Sequence, residues 1–95
     1  MDKNQGPAVP HRPHRRADST LDASRVVFPF SLVLCKAALE RLAPGQILAV
    51  LVSSRPTLED LVTILSRGGN IILGWEAHGS GFRLWVQKGG PTTLP

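Results

Sequence analysis

The feature that most constrains this 95-residue chain is an apolar run of six, Ile47 to Val52, with no polar alternation. A membrane helix needs roughly 20 such residues, so the run is too short to span a bilayer. A strand with one wet face would alternate. A short unbroken run reads instead as a strand covered on at least part of both faces. It therefore needs strands beside it and helices over it, and the flanking sequence offers both.

Upstream, Leu32, Cys35, Leu39 and Leu42 recur at three- and four-residue spacing, which sets them on one helical face. Pro29 has a preset φ and no N–H to lose in a first turn, and Pro44-Gly45 stops the pattern. The spacing predicts a helix over 30–42, preceded by a strand over 19–23. Downstream, Leu58, Leu61, Val62 and Leu65 form a second stripe over 57–67. Thr57 and Asp60 have capping-box spacing, and Gly68-Gly69 supplies a left-handed exit. The last third reads as a hairpin, with 71–77 and 82–88 flanking His78-Gly79-Ser80-Gly81. Pairing Ala77 with Phe82 puts Leu73 opposite Val86 and Trp75 opposite Leu84 on a core face. Ile72, Gly74, Glu76, Arg83, Trp85 and Gln87 then share the outer face, where Glu76 and Arg83 should form a cross-strand ion pair. The predicted fold class is α+β: a two-layer α/β sandwich of βαβαββ order, with two helices on one face of a four-stranded mixed sheet.

Charge is uneven. Half of the formal net charge of +4 falls in residues 1–18, which also hold Pro7, Pro10 and Pro13 and almost no large apolar residue. Such a segment cannot bury enough surface to offset its ordering entropy. The expected organisation is a disordered basic tail over 1–18, one domain over 19–89 and a flexible C-terminal tail over 90–95. The N-terminus lacks an apolar signal-peptide core, and the single Cys excludes an internal disulfide. Both fit a cytoplasmic protein that is not bound to a membrane. No cofactor or metal site is expected: His11 and His14 are spaced like a ligand pair but have no third ligand. His78 reads as a solvated turn residue. Arg12, Arg15 and Arg16 could grip RNA phosphates without sequence preference. Trp85 offers either a cover for the cross-strand Gly74 or, with Ile72, an exposed contact for a protein or a stacked base.

The stretch Leu21-Asp22-Ala23-Ser24-Arg25-Val26-Val27-Phe28-Pro29-Phe30-Ser31, followed by Lys36-Ala37-Ala38-Leu39, resembles the N-terminal signature of the TusA/SirA family of small sulfur carriers. That pattern runs Leu-Asp, Cys-Pro-x-Pro, then a helix with Lys-x-Ala-Leu. Leu58-Glu59-Asp60-Leu61 and Gly69 are similar to the family's second helix and its exit, so the resemblance spans about 21–88. It implies the same sandwich. It also implies a Cys at the start of the first helix, where the dipole favours a thiolate, that accepts sulfane sulfur from a donor and passes it on. This sequence departs at that point: Phe28 takes the Cys position, Pro29 remains, and Ser31 replaces the second Pro. Arg25 stands where Gly is usual and Ser54 where Asp is usual. The expected function is that of a family member without its sulfur-carrying Cys, not an enzyme, which binds a protein partner of a sulfur-relay or redox pathway. Two alternatives are a small basic RNA-binding protein and a sulfur carrier that uses Cys35. Cys35 lies seven residues beyond position 28, about 10 Å along a helix. On the apolar stripe it should pack as a small hydrophobe with a raised pKa.

Overall fold

The computed structural model describes residues 17–90. The expectations for the N-terminal tail through Arg16, and for residues 91–95, lie outside that range. Six elements follow in order: β1 (Ser19–Asp22), α1 (Phe30–Glu40), β2 (Ile47–Val52), α2 (Arg55–Arg67), β3 (Ile71–His78) and β4 (Gly81–Gln87). The strands make one sheet in the order β1-β2-β4-β3. β1 runs parallel to β2, while β4 is antiparallel to both of its neighbours. This is the α+β, βαβαββ arrangement that the periodicities predict.

The apolar run explains the layering. Leu48, Val50 and Val52 point to one face, where they meet Leu84 and Val86 of β4, Cys35 and Leu39 of α1, and Leu58, Leu61 and Leu65 of α2. Both helices therefore cover the same side of the sheet. Each fully buried Leu supplies about 1.5–3 kcal/mol of gross transfer free energy. Ile47 and Ala49 point the other way and pack with Trp85, Leu73 and Ala17 in a small outer cluster. Ala17 and Asp18, assigned to the tail from sequence, are thus part of the folded unit. The Asp18 N–H donates to the Ile47 carbonyl, and its carboxylate accepts from the Ile47 N–H, both at 2.8 Å.

Helix ends differ from expectation in two places. α1 stops at Glu40 because Arg41 and Leu42 bond three residues back, to the Ala38 and Leu39 carbonyls, which tightens the last turn. Lys88 Nζ then donates to the orphaned Leu42 carbonyl at 2.7 Å. α2 starts at Arg55, two residues early. Its cap is Ser54, extended at φ −139°, whose Oγ accepts from the Thr57 N–H at 3.3 Å. Pro56 fits inside the first turn, where it has no intrahelical bond to lose. Gly69 at φ +95° makes the predicted left-handed exit.

The hairpin is tighter than predicted. His78 pairs with Gly81, which leaves a two-residue Gly79-Ser80 turn with Gly79 at φ +59°. The register Ala77↔Phe82, Glu76↔Arg83, Trp75↔Leu84 and Gly74↔Trp85 is as expected, but Ile72, not Leu73, opposes Val86. Leu73 is the extra residue of a β-bulge, and Gly74 beside it takes φ +151°, open mainly to glycine. The bulge turns Ile72 inward and Leu73 outward. Trp75 does lie on the helix-side face, yet it is 45% exposed, because β3 is an edge strand at the rim of the helix layer. The Glu76–Arg83 ion pair does not form; the Arg83 guanidinium lies over the Trp85 ring at 5.8 Å.

Candidate functional site at the β1–α1 corner

The chain leaves β1 at Asp22 and must turn into α1 within seven residues. Leu21 anchors the strand end in the core. Asp22 braces the turn: its carboxylate accepts from both the Ser24 N–H and the Ser24 hydroxyl. Those bonds hold the Asp22 carboxyl below the usual range, the hydroxyl first and the backbone N–H next, with Arg25 assisting. The Val26 N–H closes a second turn onto the Ala23 carbonyl at 3.2 Å. The chain then passes a cis Phe28–Pro29 peptide into the helix. Phe28 is half-buried, and Pro29 and Phe30 are exposed.

The first turn of α1 has little hydrogen-bonding capacity to offer a ligand. Its cap, Pro29, carries no side-chain acceptor. The Ser31 N–H already donates to the Val27 carbonyl at 3.1 Å, and the Leu32 and Val33 N–H groups reach the Pro29 carbonyl at 3.0 and 3.2 Å. The N–H groups that would favour an anion at a helix start are therefore mostly spent on the corner itself. Ser31 points inward and is fully buried, and its hydroxyl finds no partner among the described residues, which costs about 1–3 kcal/mol of desolvation.

One helical turn further in lies Cys35. It is wholly buried among the inner-face residues. Burial pushes its thiol up to about 12, because no charge or donor compensates the thiolate. At the corner the chain thus presents the half-buried Phe28 and the exposed Phe30, and its thiol lies a turn beyond Ser31, wholly buried. A model of the family described as Sulfurtransferase TusA matches residues 19–88. This chain belongs to the TusA family. A curated relative, the putative sulfur carrier protein YrkI of Bacillus subtilis (strain 168), is 32% identical over 74 residues, which is 78% of this chain and 99% of the relative.

The TusA signature residues can now be placed. Asp22 shapes the turn, Pro29 caps the helix, Leu39 packs in the core, and Lys36 is exposed on α1. The half-buried Phe28 precedes Pro29, and the fully buried Ser31 follows Phe30. Arg12, Arg15, Arg16, His11 and His14 lie outside the described residues. Among the described residues, no three His, Cys, Asp or Glu side chains gather as metal ligands, and no helix is long and apolar enough to cross a membrane. Trp85 is on the outer face over Gly74, but only 6% exposed under its neighbours and Arg83. The exposed-contact reading of Trp85 is corrected accordingly, since little ring remains for a base to stack on.

Sequence reasoning missed a cleft of about 220 Å³ beside the corner, lined by Ser24, Ser53, His78, Ser80 and the Phe82 ring. Its polar residues come from two loops and the end of the β3–β4 hairpin, so no local spacing could have revealed it.

Proposed function

We propose that this TusA-family protein does not carry sulfur and acts by binding a protein partner of a sulfur-relay or redox system. One observation carries the reading: the chain's one thiol, on Cys35, is buried and its pKa pushed up to about 12, and the motif resemblance, which sets Phe28 at the family's Cys position, supports it. Sulfane sulfur is taken up by attack of an accessible thiolate. Burial of Cys35 withholds both access and charge, which argues against the alternative of a carrier working through that residue.

The test is incubation with a cysteine desulfurase and radiolabelled cysteine. The native chain should take up no more label than its Cys35→Ala variant. Phe28→Cys, which restores a thiol at the corner, should become labelled and would show that the donor still recognises the scaffold. Stoichiometric persulfide on Cys35, located by mass spectrometry, would reinstate the carrier reading.

A further inference from the structure

We infer that the cleft between the end of β2 and the β3–β4 turn is a binding site for a small oxyanion, a sulfate- or phosphate-like group held by the Ser53 and Ser80 hydroxyls and the His78 ring, with Arg55 as its counter-charge. The inference does not depend on whether the protein carries sulfur.

The first observation is how the cleft is built. β2 ends at Val52 and β4 begins at Gly81, and Val52 is paired with Phe82. A side chain at position 81 does not fit there: its Cβ would run into the Val52 carbonyl oxygen and lie 2.9 Å from the Ser53 Cα. Glycine therefore lets the hairpin end seat directly against the exit of β2. That close seating brings His78 and Ser80 beside Ser53, and Ser24 lines the cleft from the corner side. The volume, about 220 Å³, is below the roughly 300–1,000 Å³ of sites for drug-sized ligands. It suits a small group, not a nucleotide or a large cofactor.

The second observation is the chemistry of the walls. Among the described residues, none of the side chains that line the cleft is acidic, so a metal ion would find no carboxylate. Of the nearby serines, Ser24 donates to Asp22 and Ser54 to Thr57. The exposed hydroxyls of Ser53 and Ser80 have no partner among the described residues, so both can donate to a ligand. The Phe82 ring forms an apolar wall, and the Arg55 guanidinium rests over that ring, 5.1 Å from its centre. Among the described residues the guanidinium meets a carboxylate only loosely, Glu59 at 3.9 Å with both side chains exposed, a contact that an anion in the cleft can replace. Hydrogen bonds to an ionised oxygen are roughly twice as strong as neutral ones, so an anion draws most from this donor set. The other cavity, about 200 Å³ beside Lys36 and Lys88, lacks that bias. Glu40 brings a carboxylate into it, and Lys88 is committed to the Leu42 carbonyl at 2.7 Å.

An amide-resolved NMR titration of the full 95-residue chain with sodium sulfate, against sodium chloride at equal ionic strength, tests this. Saturable shifts are expected at Ser53, Ser80 and Gly81, with little change at Lys36 and Lys88. Inorganic phosphate and phenyl phosphate should move the same amides. Equal affinities would assign the cleft to the free ion, and a gain of about tenfold or more for the ester, through the Phe82 wall, to an esterified group. Arg55→Gln should weaken sulfate binding about tenfold, and Ser53→Ala combined with Ser80→Ala about tenfold again. Melting temperatures should stay near the native value, since all three side chains are exposed. Shifts no larger than those in chloride, or shifts that survive all three substitutions, overturn the inference. Sulfate that binds beside Lys36 and Lys88 instead overturns it as well.

Discussion

At position 35 a thiol sits wholly buried between Ser31 and Leu39, and its proton is held more tightly than that of an ordinary cysteine. This has a thermodynamic reading. The folded-state pKa, about 12, lies above the ordinary value of 9.0. The contribution of the protonated thiol is therefore complete below about pH 9 and is lost as pH rises toward 12, because only the unfolded chain can release the proton in that window. One proton corresponds to about 1.4 kcal/mol per pH unit. Urea denaturation from about pH 10 to 11 should show the native chain losing stability at nearly that slope relative to Cys35→Ala, with little difference in slope below about pH 8. Parallel curves would mean that the thiol reaches solvent. Cys35→Ala itself should cost little at neutral pH, about 1 kcal/mol for a small cavity. Burial of this residue was legible from the sequence, because its spacing to Leu32 and Leu39 fixes the helical face. The mostly occupied N–H groups at the start of α1 were not. They depend on how Val27 and Pro29 turn their carbonyls, which no side-chain pattern encodes.

α2 shows how a departure from the family pattern can be physically conservative. Ser54 stands where Asp is usual, and both are strong N-caps. The Ser54 hydroxyl accepts from the Thr57 N–H and also meets the Thr57 hydroxyl at 3.0 Å. Ser54→Ala should cost about 1 kcal/mol in chemical denaturation, while Ser54→Asp should be neutral or better. The adjacent Arg55–Glu59 pair, 3.9 Å apart and exposed, should contribute a few tenths of a kcal/mol at most. The helix body was readable from Leu58, Leu61 and Leu65, but its start was not, because Arg55-Pro56 looks like loop until Ser54 is seen to cap it. The hairpin carries the larger lesson. Counting in twos from the turn gives the register through Gly74, and then the extra Leu73 exchanges the faces of everything before it. A lone glycine in a strand is compatible with a bulge, but it does not say on which side the added residue lies.

The whole molecule is organised around β2 and β4, the two strands with neighbours on both sides. Hydrogen exchange should follow that order. Amides of Leu48, Val50 and Leu84 should be among the slowest. Those of the four-residue edge strand β1 and of the Gly79-Ser80 turn should be among the fastest. Protection strongest in α1 would contradict this order. The sandwich was legible because its apolar periodicities are consistent along the chain. The corner was legible because Pro29 and the Leu21-Asp22 pair mark it. Strand order was not written in any local pattern, and it decides which tryptophan is wet. Trp85 packs dry beneath a guanidinium on a central strand, while Trp75 stands half in solvent on an edge. The chain thus contains two built-in fluorophores of different colour and accessibility. Iodide should quench the red-shifted emission of Trp75 and leave the bluer emission of Trp85. A ligand settling on the β3 edge would then announce itself without any dye, whereas one settling on the far side of α1 would leave the spectrum unchanged.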